Sequence, residues 1–345
     1  MAKRLLGKEV NEALVASLQT RTAALREKGI APTLGIVRVG ENPSDLSYEK
    51  GATKRAEDVG VAVKNFVLPE NATKEELLAV IDQVNADDSI HGVLMFRPLP
   101  KHLKADQDEI CNRLAPRKDV DSMTHMSNAG VFEGQDLGYA PCTPAACMEI
   151  LDHYGIDCKG KNAVVIGRSL VVGKPAAMML MAKNATVTMC HTKTVNTAEI
   201  CRNADIIISA AGVLKSLTAD YVRPGQVVID VSMNWDAEKV TAKGKGGMSG
   251  DAIFDEVEPI VEAITFWLGS SRREMVITIT LSTISTFRLM GAFSPANRAL
   301  PLPVSVMVRC SSFHTGNSPT TKSARFTASD QPDILDSTIT ARPVS

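Results

Sequence analysis

The stretch VVIGRSLVVGKP, residues 164–175, constrains the fold more than any other part of this chain. An apolar run stops at Gly167, and Gly173 precedes a segment rich in Ala and Met, which reads as a strand, a tight loop and the start of a helix. The G-x-G-x-x-G dinucleotide pattern is altered here, because Arg168 and Ser169 stand near its expected middle glycine. The stretch therefore predicts either a nucleotide-binding loop or an ordinary strand-to-helix turn.

The flanking sequence alternates helical and strand-like segments between residues 11 and 265, at the spacing of βαβ units. Thr73 with Glu76 forms a capping box before one helix, and Thr143 is a plausible N-cap for another. These patterns predict an α/β fold with an N-terminal domain over residues 1–141 and a Rossmann-like domain over residues 142–265. Strands are expected at residues 33–40, 61–68, 92–96, 162–167, 185–190, 205–212 and 226–232.

Composition excludes several classes of function. The 345 residues include 38 basic and 39 acidic side chains, and a net charge of −1 gives no reason to expect a nucleic-acid partner. The sequence has no apolar run of the roughly 18 residues that a membrane span needs and no apolar leader, so a cytoplasmic protein is expected. Seven scattered cysteines without a C-x-x-C pair predict buried apolar thiols, with no metal site and no disulfide framework.

The type of nicotinamide cofactor depends on the end of the strand that follows the glycine loop. An Asp or Glu there would hold the ribose 2′-OH of NAD and repel the 2′-phosphate of NADP. Residues 184–198 contain no acid, while Thr192 and Lys193 lie there and Arg168 lies in the loop. A hydroxyl and two cations favour NADP over NAD, although two solvated surface charges would give the same pattern.

Five motifs follow one another along the chain: HGVLMFRPLP (91–100), KDVD (118–121), PCTP (141–144), GRSLVVGKP (167–175) and ATVTMCHTKT (185–194). Together they resemble the bifunctional methylenetetrahydrofolate dehydrogenase/cyclohydrolase family. The resemblance implies an N-terminal folate-binding domain, a Rossmann domain that binds NADP or NAD, tetrahydrofolate derivatives as substrates, and a homodimer.

The resemblance also implies roles for particular residues. Gly167, Arg168 and Ser169 take the place of the loop that contacts the dinucleotide, with the second loop glycine, Gly173, at the start of the following helix. Thr192 lies near the adenosine phosphate with its neighbour Lys193, and Met233 lies on the nicotinamide side. On the substrate side, Tyr48 matches the tyrosine that packs on the folate, and Asp121 matches the carboxylate that binds the pterin.

Two positions that the family uses for the cyclohydrolase step depart from its pattern. The family places a lysine four residues after the tyrosine, where this chain has Ala52, and a glutamine in V-Q-L-P-L-P, where this chain has Phe96. Lys50 and Lys54 do not share the helix face of the tyrosine, and Arg55 shares it but is a poor proton shuttle. Hydride transfer requires no protein base, whereas the cyclohydrolase step requires positioned proton transfer.

These departures predict a dehydrogenase with weak or absent cyclohydrolase activity. The alternatives are the full bifunctional enzyme, with Lys54 moved in by a shifted helix, and an inactive nucleotide-binding protein.

The last 80 residues break the pattern. Residues 266–345 contain 23 Ser or Thr and four acidic residues, and they lack the P-V-P-G-G-V-G-P loop and the final helix of the family. This composition predicts an atypical tail without a packed core, produced either by a shifted reading frame or by a low-complexity extension.

Overall fold

The computed structural model describes residues 1–241 and 244–266. The strands are β1 (Lys3–Leu6), β2 (Thr33–Val39), β3 (Ala62–Leu68), β4 (Gly92–Met95), β5 (Asn162–Ile166), β6 (Thr186–Cys190), β7 (Ile206–Ser209), β8 (Val227–Asp230), β9 (Asn234–Thr241), β10 (Gly244–Ser249) and β11 (Ala263–Phe266). The helices are α1 (Gly7–Glu27), α2 (Pro43–Asp58), α3 (Lys74–Ala86), α4 (Gln107–Arg113), α5 (His125–Glu133), α6 (Cys142–His153), α7 (Gly173–Ala182), α8 (Thr197–Arg202) and α9 (Phe254–Val257).

The N-terminal half contains a three-stranded parallel sheet in the order β3-β2-β4. Alternate residues of β2 point to opposite faces, as the pleat of a strand requires. Ile36 packs with Ala52 and Ala56 of α2, while Val37 packs with Leu77 of α3. Helices therefore cover both faces of this sheet, which explains why its central strand is apolar on both sides.

The C-terminal half contains a six-stranded parallel sheet in the order β1-β11-β8-β7-β5-β6. Val165 of β5 packs on the face that carries α6 and α7, while Val164 packs on the opposite face with Cys201 of α8. Strand β5 lies between β6 and β7, so the strand order changes direction at β5. This is the position at which doubly wound sheets bind their ligands.

Sequence patterns located most of these elements correctly. The predicted strands all occur, within a few residues of the expected bounds, and Thr73 and Glu76 form the predicted capping box of α3. The predicted cap of α6 was wrong: this helix begins at Cys142, Pro141 is its N-cap, and no side chain caps it. Pro at the N-cap fixes the entry of the chain without a side-chain acceptor, so Thr143 lies inside the first turn.

Strand β1 and the antiparallel hairpin of β9 and β10 were not predicted. Strand β1 pairs in parallel with β11, which places the first residues of the chain at the edge of the C-terminal sheet. Four residues are too few to show the alternating pattern of a strand, and the long helix α1 follows β1 directly.

The six cysteines within the described residues are buried, as predicted. No helix in the described ranges is long and apolar enough to cross a membrane. The predicted tail, residues 266–345, lies outside the described residues except for its first residue, which ends β11; Cys310 also lies outside them.

Candidate active site

The glycine loop, residues 167–173, closes on itself at the carboxyl end of β5. A Cβ atom on Gly173 would lie 2.1 Å from the carbonyl oxygen of Gly167, and a Cβ on Gly167 would lie 2.3 Å from the carbonyl oxygen of Ala210. Gly167 also has a φ of +119°, a region that residues with a Cβ rarely adopt. Both glycines are therefore required by the backbone packing of the loop, whatever it binds.

Ser169 holds the loop against the start of α7. Its Oγ accepts hydrogen bonds from the backbone N–H groups of Val172, at 3.1 Å, and Gly173, at 3.4 Å, and its carbonyl accepts from Lys174 at 3.0 Å. The N–H groups of residues 168–171 make no hydrogen bond to any other described residue. Successive unengaged N–H groups at the end of a parallel strand fit a phosphate ligand.

The loop after β6 lies beside the glycine loop. Ile166 is in register with Cys190, and the N–H of Gly167 donates to the carbonyl of Cys190 at 2.8 Å. Residues 192 and 193 then follow in a turn in which the side-chain hydroxyl of Thr194 accepts from the N–H of His191 at 2.9 Å. Arg168, Thr192 and Lys193 are exposed at these two adjacent loops, and the two cations form no ion pair with described residues.

Asp251 organises the loops after β7 and β8, and sequence reasoning did not identify it. Its carboxylate is fully buried and accepts from the N–H groups of Ala211, at 2.9 Å, and Val213, at 2.8 Å, and from the Ser232 hydroxyl at 2.7 Å. The neighbouring Met233 is 42% exposed. An acid directly after Gly250, at the end of the hairpin, was the available signal in the sequence.

A second buried carboxylate supports Asp251. Asp230 accepts from the N–H groups of Asp251, at 3.1 Å, and Ala252, at 2.9 Å. Burial raises the pKa of Asp230 to about 6, and these backbone hydrogen bonds oppose the shift. A Cβ on Gly250 would lie 1.9 Å from Asp230, so this contact requires glycine.

Tyr48 and the two positions that depart from the family pattern lie together in the N-terminal half. Tyr48 of α2 contacts the ring of Phe96 edge to face, with 5.6 Å between centroids and 85° between planes. Ala52, one helical turn after Tyr48, is 1% exposed and packs in the same apolar cluster. Phe96 continues β4, since its N–H donates to the carbonyl of Val37 at 3.0 Å. Aromatic and methyl groups thus occupy the space where the sequence comparison expected a lysine and a glutamine.

The nearby cations of α2 do not replace that lysine. Lys50 and Lys54 are exposed, and their positions in one continuous helix place them off the face of Tyr48. Arg55 lies 3.8 Å from Asp58, three residues later on the same helix. Because α2 is a continuous helix, the shift that would bring Lys54 to Tyr48 is not observed.

Asp119 fixes the loop that carries Asp121. Its carboxylate is fully buried and accepts from the N–H groups of Met123, at 3.0 Å, and Thr124, at 2.8 Å, and from the Ser127 hydroxyl at 2.7 Å. Asp119 also pairs with Val93 of β4 in an isolated parallel bridge. The loop therefore lies beside the carboxyl end of β4.

Asp121 faces an arginine that sequence reasoning did not select. Arg97 Nη2 donates to Asp121 Oδ2 at 2.8 Å, with the two side chains 24% and 33% exposed. Burial raises the pKa of the Asp121 carboxyl, and the positive charge of Arg97 opposes that shift. A cation at the end of an apolar strand, just before Pro98, was the signal that could have identified it.

Helix packing connects the two groups of residues. Helix α5, which starts four residues after Asp121, packs against α7, which starts at Gly173. Helix α1 packs against α6 in the same way. The loop of Asp121 and the glycine loop are thereby joined through one pair of helices.

Two family models match this chain. The catalytic domain of tetrahydrofolate dehydrogenase/cyclohydrolase matches residues 5–121, and the NAD(P)-binding domain of the same enzymes matches residues 141–286. The chain belongs to the tetrahydrofolate dehydrogenase/cyclohydrolase family. The family that the sequence motifs indicated is thus confirmed. The match to an NAD(P)-binding domain also confirms the prediction of a nicotinamide cofactor.

Members of the family from several organisms are similar to this chain. The bifunctional protein FolD of Carboxydothermus hydrogenoformans is 49% identical over 265 residues, which cover 77% of this chain and 90% of that protein. FolD of Clostridioides difficile is 43% identical over 258 residues, covering 74% and 87%.

Solved structures of the family share the fold. The crystal structure of the bifunctional FolD dehydrogenase/cyclohydrolase of Campylobacter jejuni superposes with a TM-score of 0.76 at 36% identity, covering 83% of this chain and 98% of that one. The Trypanosoma brucei enzyme, complexed with NADP and an inhibitor, gives a TM-score of 0.74 at 28% identity, covering 84% and 98%. The two-domain α/β architecture predicted from the sequence is therefore confirmed.

Proposed function

We propose that this chain catalyses both family reactions, the NADP-dependent oxidation of 5,10-methylenetetrahydrofolate to the methenyl compound and the hydrolysis of that compound. The observation that carries the proposal is the glycine loop at the carboxyl end of β5, combined with a match to both family domains. The domain division near residue 141 and the roles of the site residues are parts of the same proposal.

The comparisons do not support the expectation of weak or absent cyclohydrolase activity. The relatives at 43–49% identity are named bifunctional proteins, so the full bifunctional alternative fits this chain better. The absence of a lysine at position 52 then means that another group transfers the protons.

Hydride transfer makes few demands on protein side chains. When bound, NADP accepts the hydride from the carbon between the two folate nitrogens, whose lone pairs stabilise the resulting cation. The protein aligns that carbon with the cofactor. We assign the backbone of the glycine loop to the phosphates, Tyr48 to the folate ring and Asp121 to the pterin donors.

NADP is the cofactor in this proposal. Arg168 and Lys193 are exposed cations on adjacent loops, and Thr192 adds a hydroxyl donor, while residues 184–198 contain no carboxylate that would repel a 2′-phosphate. The NADP-bound relative from Trypanosoma brucei is consistent with this choice.

Hydrolysis requires a group that moves protons while water adds to the methenyl carbon and the ring opens. We assign this task to the Tyr48 hydroxyl, because Tyr48 lies one turn from Ala52 and beside Phe96, the two positions of the missing lysine and glutamine. Asp121 then retains its binding role.

A homodimer is part of the same proposal. The hairpin of β9 and β10 exposes apolar side chains, with Trp235 at 66%, Val240 at 78% and Met248 at 44% exposure. Trp235 and Met248 are partners across the hairpin, and an exposed apolar pair of this kind fits a contact between protein chains. Light scattering coupled to size-exclusion chromatography measures the oligomeric state directly.

One assay tests both reactions. The purified full chain is given methylenetetrahydrofolate with NADP or with NAD, and the absorbance of the methenyl product is followed as it forms and then as it hydrolyses. We expect formation to be faster with NADP and hydrolysis to exceed the rate without enzyme. Accumulation of the methenyl compound at the uncatalysed decay rate would contradict the hydrolysis half of the proposal, and absence of its formation would contradict the oxidation half.

A further inference from the structure

Arg97 forms an unusual pair with Asp121 at the carboxyl end of β4. Only one of its nitrogens, Nη2, is engaged, in the 2.8 Å bond to Asp121 Oδ2. Other arginines of the described chain are used more fully: Arg113 donates to both oxygens of Asp82 at 2.6 and 2.8 Å, and Arg38 donates to Glu49 and to the carbonyl of Gly40. The guanidinium of Arg97 therefore has N–H donors that no described residue satisfies.

Two buried polar atoms next to Asp121 also lack partners. Arg97 Nε and Ser122 Oγ are shielded from solvent, and neither makes a hydrogen bond within the described chain. Ser122 has a φ of +52°, an uncommon conformation for a residue with a side chain. Buried polar groups are nearly always satisfied in folded proteins, so unpaired polar atoms beside the half-buried Asp121 carboxylate indicate a ligand-binding position.

The sequence sets Arg97 apart from the family pattern. In V-Q-L-P-L-P the corresponding position is leucine, whereas this chain has arginine. Asp121 therefore pairs with a cation that the family pattern does not place there.

We propose that Arg97 binds the pterin ring together with Asp121. This inference rests on the proposed function, because it takes the substrate to be a tetrahydrofolate. The pyrimidine edge of a pterin presents N–H donors next to a carbonyl acceptor in one plane. The Asp121 carboxylate accepts from those donors, and a free N–H of the planar Arg97 guanidinium donates to the carbonyl oxygen.

Arg97 also sets the charge state of Asp121. Burial raises the pKa of the Asp121 carboxyl, the Arg97 cation lowers it, and the Asp119 carboxylate raises it. The pKa of the nearby Cys111 thiol is influenced by the same three charged side chains. Removing Arg97 therefore raises the pKa of Asp121. Because binding uses the ionised carboxylate, the acid side of the pH profile of kcat/KM for the folate substrate moves to higher pH.

The test compares the full-length wild type with Arg97→Leu, which restores the family residue, and Arg97→Lys, which keeps the charge but loses the planar fork. Tetrahydrofolate binding is measured by calorimetry, and KM for methylenetetrahydrofolate and for NADP are measured separately. For Arg97→Leu we expect folate affinity to fall at least about tenfold, with NADP affinity unchanged and the acid limb shifted upward. Arg97→Lys should lose folate affinity while retaining the wild-type acid limb.

Unchanged NADP affinity also reports that the variant has folded. If Arg97→Leu does not fold, the Lys variant alone decides, since it should still lose folate affinity. The inference is overturned if the deciding variant binds folate as tightly as the wild type. It is also overturned if that variant loses folate affinity and NADP affinity in equal proportion. Either result leaves the proposed function intact. A wild-type protein that neither binds tetrahydrofolate nor oxidises its methylene derivative overturns both.

Discussion

The proposed sites in the NAD(P)-binding half and in the N-terminal catalytic half of this enzyme are built from different kinds of groups. Around the glycine loop, contacts are made by backbone atoms: Gly167, Gly173 and the N–H groups between them. Around Tyr48 and Asp121, contacts are made by side chains, including the ring of Phe96 and the guanidinium of Arg97.

The difference explains which half keeps the family pattern. A backbone site depends on the few positions where a Cβ would collide, so those positions allow no substitution. A side-chain site can exchange one functional group for another if the volume and charge remain compatible. Accordingly, the glycine loop retains its motif, whereas positions 52, 96 and 97 depart from the family pattern.

The sharpest test of the backbone half is Gly173→Ala. Its Cβ would lie 2.1 Å from the Gly167 carbonyl oxygen, so the loop must open. We expect NADP affinity, measured by fluorescence titration, to fall by more than about a thousandfold, or 4 kcal/mol. Gly160→Ala is the control, because its φ of +71° carries strain but its Cβ meets no atom within 4 Å. Similar losses in the two variants would refute a specific role for the loop.

In the side-chain half, Asp121→Asn should reduce kcat/KM for methylenetetrahydrofolate by on the order of 10². The amide cannot accept from the pterin donors as a carboxylate does, and it loses the ion pair with Arg97. NADP affinity should remain that of the wild type, and the exposed Asp136→Asn serves as control. Steady-state kinetics with each substrate varied in turn measure the effect. An equal loss for both substrates would argue for a structural role of Asp121.

The two reactions should separate in Tyr48→Phe, which keeps the ring beside Phe96 and removes only the hydroxyl. If the hydroxyl transfers protons, methenyl hydrolysis should fall by up to about a hundredfold, the lower range of general acid–base catalysis. Oxidation should change much less, because it needs no protein base. Hydrolysis at the wild-type rate would show that another group moves the protons.

Side chains make a smaller contribution in the nucleotide half. The double variant Arg168→Ala with Lys193→Ala should weaken NADP about tenfold and NAD much less, since only NADP loses charge-assisted bonds to its extra phosphate. Dissociation constants for the two cofactors are compared at one ionic strength. Lys161→Ala controls for net charge, because Lys161 is an exposed cation just before β5, at the amino end of that strand and away from the glycine loop. Equal weakening of both cofactors would exclude Arg168 and Lys193 as the source of the NADP preference.

Local patterns predicted the elements well because each pattern lies within one element. Thr73 and Glu76 are three residues apart, and the period of two in β2 follows from the strand itself. Lys50 and Lys54 lie in the continuous helix α2, so their angular positions relative to Tyr48 follow from helix geometry for the same reason. The prediction of the α6 cap was wrong because Pro141 occupies the N-cap position, which leaves the Thr143 hydroxyl inside the first turn.

The sequence by itself determined the parallel α/β class, the glycine loop and the family, since these follow from short-range spacing and from the steric needs of glycine. Tertiary structure alone decided that Arg97 faces Asp121 across 24 residues, that Asp251 holds the loops after β7 and β8, and that β1 joins the C-terminal sheet. Such pairs depend on strand order and on which loops meet at one edge of a sheet. Residues far apart in sequence leave no periodic signal, because only the closed chain brings them into contact.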